Sequence, residues 1–312
     1  MSDLIEEVSL HYQQQLKQSP AAISFLKGRG LNGQIAKKFE IGFAPAGWDN
    51  LLKKFRNQSD ELFELGLLVK KDNGQYYDRF RERVIFPIKD KQGRAIAFSG
   101  RVLDDSKPKY INSPESILFS KRNELYAQQF LNGGRVVVVE GQMDVVALTQ
   151  FGINNVVAGL GTAITESQIE YLYKNTEVIV FCFDGDAAGL NAAWKTLGKI
   201  LPFLNDNKQA RFVFLPKDND PDSFIRSEGL DKLEDLIEHS CTAIDYLLEN
   251  TIKQMKSDYP HHPSGINSIE DKVVLLHQVK PFYNILADGF SKELLEVQVS
   301  RITGLEEVSK YF

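Results

Sequence analysis

Arg135-Val136-Val137-Val138-Val139-Glu140-Gly141-Gln142-Met143-Asp144 is the stretch that decides the fold, because an unbroken valine run ends in an acid, a glycine and a helix start. Two later stretches repeat the pattern. Glu177-Val178-Ile179-Val180-Phe181-Cys182-Phe183 runs into Asp184-Gly185-Asp186, and Arg211-Phe212-Val213-Phe214-Leu215-Pro216 leads to Asp218, Asp220 and Asp222. Continuous apolar runs of this kind read as strands covered on both faces. The order predicted is strand 135–139, helix 142–151, strand 155–158, a Gly-rich turn at 159–161, helix 165–174, strand 177–183, helix 187–201 and strand 210–215. Such alternation predicts an α/β domain with a parallel sheet and helices on both faces. Right-handed crossovers put all strand C-termini on one edge, where ligands bind.

On the N-terminal side, residues 3–66 read as short helices. Leu4, Ile5, Val8, Tyr12 and Leu16 form one apolar stripe, and Ser19-Pro20 opens a second helix. From 67 to 111 the character is β, with a hairpin pattern in Val84-Ile85-Phe86-Pro87-Ile88 and Arg94-Ala95-Ile96-Ala97-Phe98. Pro87 implies an edge position or a bulge. Gly133-Gly134 marks a boundary. Beyond Asp222 the chain reads as almost entirely helical, with a Pro-containing linker at 257–265. The expected domains are therefore 1–133, mixed α/β with a basic surface; 134–222, the parallel-sheet domain; and 223–312, a helical bundle.

The chain of 312 residues carries a net charge of −5, unevenly spread. Residues 70–122 hold 13 Lys/Arg against 7 Asp/Glu, about +6, and the remainder is about −11. A basic segment beside an acidic one suits the handling of a polyanion, although a solvated mixed-charge surface would look the same. No apolar run is long enough for a membrane span, and residues 1–20 lack the apolar core of a signal peptide. Two cysteines, Cys182 and Cys241, exclude a disulfide framework and a Cys-rich zinc module. A cytoplasmic protein is expected.

The acids carry the chemistry. Glu140 follows its strand directly, and Gly141 permits a tight turn into the helix bearing Asp144, which can point back toward Glu140. Asp184 and Asp186 flank Gly185, so one turn can aim both carboxylates at one ion. Asp-Gly-Asp alone is an ordinary turn. Three acidic clusters on one sheet edge, however, repel one another unless a hard cation lies between them, which points to Mg²⁺ and phosphate chemistry. Phosphoryl transfer needs such cations to screen the attacking oxygen, the phosphate oxygens and the leaving group.

The two stretches ending in Glu140-Gly141-Gln142-Met143-Asp144 and Asp184-Gly185-Asp186 resemble the TOPRIM domain of bacterial primases, topoisomerases and some nucleases. Tyr77-Asp78-Arg79-Phe80-Arg81-Glu82-Arg83-Val84-Ile85-Phe86-Pro87-Ile88, Phe98-Ser99-Gly100-Arg101-Val102-Leu103 and Pro108-Lys109-Tyr110-Ile111-Asn112-Ser113-Pro114-Glu115 are similar to blocks of DnaG-type primases. Ile41-Gly42-Phe43-Ala44-Pro45 and Phe214-Leu215-Pro216 with Asp220-Pro221-Asp222 match as well. The resemblance implies an RNA polymerase catalytic core that makes short RNA primers on single-stranded DNA from NTPs. Glu140, Asp184 and Asp186 would be catalytic, and Glu140, Asp144, Asp184, Asp186, Asp220 and Asp222 would hold Mg²⁺, with Mn²⁺ able to substitute. Arg29, Arg79, Arg81, Arg101, Lys109, Asn112 and Lys121 would line a groove for template and nucleotide. Arg79 and Arg81 would share a face if their stretch is extended. Tyr76, Tyr77, Phe80 and Tyr110 could stack on bases or belong to the core.

The family's complete proteins add a zinc-binding module and a helicase-binding region. No Cys/His set here has zinc spacing, and His261-His262 sits in the Pro-flanked linker, so zinc is not expected and a monomeric catalytic core alone is. A replicative helicase and a single-stranded-DNA-binding protein would be partners of the full-length protein. The rival reading is a TOPRIM nuclease or topoisomerase fragment, which would cut DNA.

Overall fold

The computed structural model describes every residue except Asp105, Thr162, 259–265 and Asn267. The chain divides into two compact units. The first contains Met1–Asn132, Val139–Thr162 and Pro221–Leu230; the second contains Gly133–Val138, Ala163–Asp220 and Asp231–Phe312. Eleven strands are found among the described residues. In chain order they are β1 Gly42–Ala44, β2 Leu68–Lys70, β3 Tyr76–Asp78, β4 Arg83–Lys89, β5 Ala95–Val102, β6 Tyr110–Asn112, β7 Val136–Val139, β8 Val156–Ala158, β9 Val178–Phe183, β10 Gln209–Phe214 and β11 Cys241–Thr242.

The first unit is built on an antiparallel sheet of order β1-β4-β5-β6. The stripe expected on the first helix, Ser2–Lys17, is buried in full: Leu4, Ile5, Val8, Tyr12 and Leu16 all face inward. Four of these join Leu51, Leu62, Phe80, Ile85 and Phe98 in one core. Phe80 is thus a core residue, set edge-on to Phe98. The second helix, Pro20–Gly28, starts as its sequence requires, with the Ser19 hydroxyl accepting the Ala22 N–H and proline in the first turn.

The expected hairpin is present as β4 and β5, paired from Arg83↔Val102 to Lys89↔Ala95, with a register shift at Ile88/Lys89. Pro87 is tolerated because β1 pairs only as far as Ile85, which leaves β4 locally an edge beside that irregularity. Two corrections apply here. Residues 42–44, expected among short helices, form β1; a Cβ on Gly42 would lie 2.5 Å from the Cβ of Tyr12, so glycine lets strand and helix touch. Residues 79–82 are not extended: β3 ends at Asp78, Glu82 has φ +51°, and Arg79 and Arg81 do not share a strand face.

In the second unit β7, β9 and β10 run parallel, with Val136↔Ile179 and Gln209↔Val178 opening the two registers. The short β11 adds antiparallel to β10, a strand absent from the helical expectation for this part of the chain. Helices Glu166–Tyr173 and Ala187–Ile200 pack on β9, and Ala243–Asp258 packs on β10. Phe181, Phe183, Phe212, Phe214 and Tyr246 form a run of stacked and tilted rings along this sheet. Cys182 is buried among the core residues. Helices Ala243–Asp258, Ile269–Ile285 and Phe290–Thr303 pack on one another as the expected helical bundle. The first of them extends to Asp258, and the rest of the expected linker, His261-His262 included, lies outside the described residues.

Candidate active site

In the first unit, Glu140 follows β7 in the chain and is exposed. Gly141 caps the helix Gln142–Gln150. Asp144 turns back as its position suggests, but toward backbone: its Oδ2 accepts the Gly141 N–H at 3.0 Å. Its Oδ1 accepts the Asp222 N–H at 3.2 Å, so the two acids meet across 78 residues of sequence. Both are buried, at 8% and 1% exposure.

Asp222 is committed to arginine. Arg226 donates to its two oxygens through Nε at 2.8 Å and Nη2 at 3.2 Å, and Arg29 approaches through Nη1 at 3.5 Å. This is a fork-on-carboxylate pairing of the strong, orienting kind. Arg226 was missed by sequence reasoning. Its only signal was a position four residues after Asp222 at the start of a helix, now seen as Pro221–Glu228.

Arg101 is 3% exposed, with its guanidinium carbon 4.6 Å from the Phe25 ring centre and 5.7 Å from that of Tyr110. Arg29 stands 6.0 Å from the same Phe25 ring. Burial pushes the Tyr110 hydroxyl up; Asp144 and Asp222 push the same way, while Arg101 and Arg29 oppose them. Arg29, Arg101, Asp144, Asp222, Phe25 and Tyr110 therefore form one charged and aromatic cluster. Asn112 donates to the Leu160 carbonyl at 2.9 Å and ties β6 to the loop after β8.

The other basic residues lie on loops. Arg79 donates to the Gly66 carbonyl, and Arg81 to the Asp78 carbonyl. Arg81 also sits 4.2 Å over the exposed ring of Trp48. Lys109 is exposed, and the Lys121 backbone N–H is held by Glu115 at 2.8 Å.

In the second unit, the turn after β9 and the loop after β10 are joined by backbone. The Gly185 N–H donates to the Asn219 carbonyl at 2.9 Å, and the Asp218 N–H to the Gly185 carbonyl at 3.4 Å. Asp184 and Asp186 are thereby brought beside the loop that carries Asp218 and Asp220. Asp186 caps the helix Ala187–Ile200, with Oδ1 accepting the Gly189 N–H at 2.8 Å. Asp184 is half-buried and Asp186 exposed. Two glycines make the turn possible: a Cβ at Gly185 would lie 2.0 Å from the Pro216 carbonyl oxygen, and one at Gly189 2.3 Å from that of Asp184. Among the described residues, no three His, Cys, Asp or Glu side chains are gathered as a ready-made metal cage.

Residues 11–132 match the N-terminal domain of the DNA primase catalytic core, and residues 137–225 match the Toprim-like family. These matches define the class, a Toprim protein with a primase-type N-terminal module. A DNA primase from Legionella pneumophila is 45% identical over 311 residues, which cover 97% of this chain and 52% of that protein. A DNA primase domain from Pseudomonas aeruginosa is 42% identical with a TM-score of 0.90, over 99% of this chain and 98% of that one. A DnaG primase catalytic domain solved bound to single-stranded DNA is 38% identical, with a TM-score of 0.86, over 96% and 97% of the two chains. The chain belongs to the DnaG-type DNA primases and corresponds to their catalytic core. It spans about half the length of the curated relatives it matches.

Proposed function

We propose that this chain polymerises NTPs into short RNA primers on a single-stranded DNA template. The observation that carries the reading is a solved DnaG catalytic domain, similar over 96% of this chain, that was captured with single-stranded DNA. The cluster of Arg29, Arg101 and Tyr110 supports it, since a buried Arg101 and a half-buried Arg29, both set against the Phe25 ring, place guanidinium groups of the kind that recognise phosphate on one patch.

The donors suit a hard cation. Glu140, Asp184, Asp186 and Asp220 offer only oxygen, and Mg²⁺ is commonly bound by one or two carboxylates with waters and substrate phosphates, so a complete protein cage is not required. When bound, Mg²⁺ supplies positive charge to the triphosphate. In the second unit Asp184 is assigned to cation binding; in the first unit Glu140 is assigned to take the proton from the primer 3′-OH. Asp186 contributes a carboxylate while fixing the start of its helix. Asp144 and Asp222 are assigned supporting roles, Asp144 ordering the turn after Glu140 and Asp222 aiming Arg29 and Arg226. Arg79, Arg81, Lys109, Asn112 and Lys121 are assigned to the nucleic-acid path. Helicase and single-stranded-DNA-binding protein are proposed as partners of the longer protein.

The test uses labelled single-stranded template, labelled NTPs and Mg²⁺ in one mixture. RNA product on intact template supports the proposal. Cleaved template with no RNA would instead favour the nuclease or topoisomerase reading.

A further inference from the structure

The first three helices and the segments that join them line a half-open groove of about 790 Å³, which none of the assigned acids or basic residues lines. Its wall is formed by Leu16, Ile23, Leu26, Leu31, Ala36 and Ile41. Lys17, Lys27 and Lys37 also line it, each from the last turn of a different helix: Ser2–Lys17, Pro20–Gly28 and Gly33–Lys38. No acid lines the cavity, and none of these lysines belongs to an ion pair among the described residues. An apolar floor with three separated, unneutralised cations is complementary to a ligand that carries both a bulky apolar group and several negative charges.

We propose that this cavity docks an acidic peptide segment of a partner protein, with a large apolar side chain seated against Leu26 and Ile41 and carboxylates reaching the three lysines. Single-stranded nucleic acid fits less well, because among the described residues no aromatic ring lines the cavity to stack a base. A single-headed amphiphile fits less well too, since one anionic head cannot serve lysines on three helices. The lysines also oppose the partial negative charge at three helix C-termini, so the test must separate docking from helix stability.

The probe is a fluorescein-labelled hexapeptide of four Glu followed by Leu and Phe, read by anisotropy with the full chain. Controls replace the four Glu by Lys, or the Leu and Phe by Ser. The proposal expects binding of the first peptide alone, weakened at least about tenfold in a K17E/K27E/K37E variant and falling with salt. It also expects Ile23→Ser to weaken binding while the thermal midpoint stays within a few degrees. Methyl NMR of the unmodified chain should move Ile23, Leu26 and Ile41 on titration. Equal binding of the Lys peptide, an unchanged affinity in the triple-charge variant, or shifts that avoid those methyls would each overturn the proposal. So would an oligothymidylate that moves the same three methyls by itself, which would make the cavity part of the nucleic-acid path. Loss of stability in K17E/K27E/K37E with unchanged peptide affinity would reduce the lysines to helix-end charges and remove the docking site.

Discussion

A missing methyl group at position 185 lets two acidic loops touch. The backbone of Gly185 lies so close to that of Pro216 that an added Cβ meets a carbonyl oxygen at 2.0 Å, and a carbonyl cannot swing aside as a side chain can. Gly185→Ala is therefore predicted to cost about 1–3 kcal/mol, read from urea denaturation. Gly198, on the helix Ala187–Ile200 with nothing within 4 Å of its Cβ position, is the internal contrast. Gly198→Ala should stabilise by about 0.5–1 kcal/mol, because it only removes backbone freedom from the unfolded chain. At position 222 the chemistry is charge pairing in a buried place. Arg226→Ala removes the forked partner and leaves Asp222 with Arg29 at 3.5 Å. A cost of about 1–3 kcal/mol is expected, and it should shrink when Asp222→Asn is already present, a coupling that a double-mutant cycle measures.

At the scale of elements, the helix Ala187–Ile200 starts on a residue asked to do two jobs. Asp186 caps the helix by accepting the Gly189 N–H, and it is also assigned to the metal site. Asparagine caps as well as aspartate but carries no charge. Asp186→Asn should thus keep the thermal midpoint and lose primer synthesis, whereas Asp186→Ala should lose both. Midpoint and RNA yield measured on the same preparations check this.

Most of the parallel-sheet unit was legible in the chain because β9 and β10 are continuous apolar runs ended by acids and glycine. Strands β1 and β11 were not legible. Gly42-Phe43-Ala44 and Cys241-Thr242 are too short to show a period, and both exist because a longer neighbour, β4 or β10, offers an edge. The acids of the candidate site were legible by type and place, but their partners were not. Asp222 reads as one more carboxylate in a row, and only folding brings Arg29, 193 residues away, to its side. Arg79 and Arg81 read as strand residues because alternation was assumed; Glu82 at positive φ breaks the strand before it can form.

For the whole molecule, the proposed function asks an acidic chain with a basic stretch at 70–122 to bind a polyanion locally and against its own net charge. If Arg79, Arg81, Lys109 and Lys121 contact phosphates as assigned, affinity for a single strand should fall about tenfold or more between 50 and 200 mM salt. Anisotropy of labelled oligothymidylate measures it. No helix among the described residues is long and apolar enough to cross a membrane.

The proposed chemistry depends on carboxylates that serve a divalent cation during RNA synthesis. Its most direct test is primer synthesis by Glu140→Gln and Asp184→Asn beside the unsubstituted chain, with Mg²⁺ present and then withdrawn by EDTA. Each substitution removes charge and keeps shape. The prediction is template-dependent RNA from the unsubstituted chain with Mg²⁺ alone, and a loss of about 100-fold or more in each folded variant. RNA made at the unsubstituted rate by either variant, or undiminished in EDTA, would contradict it.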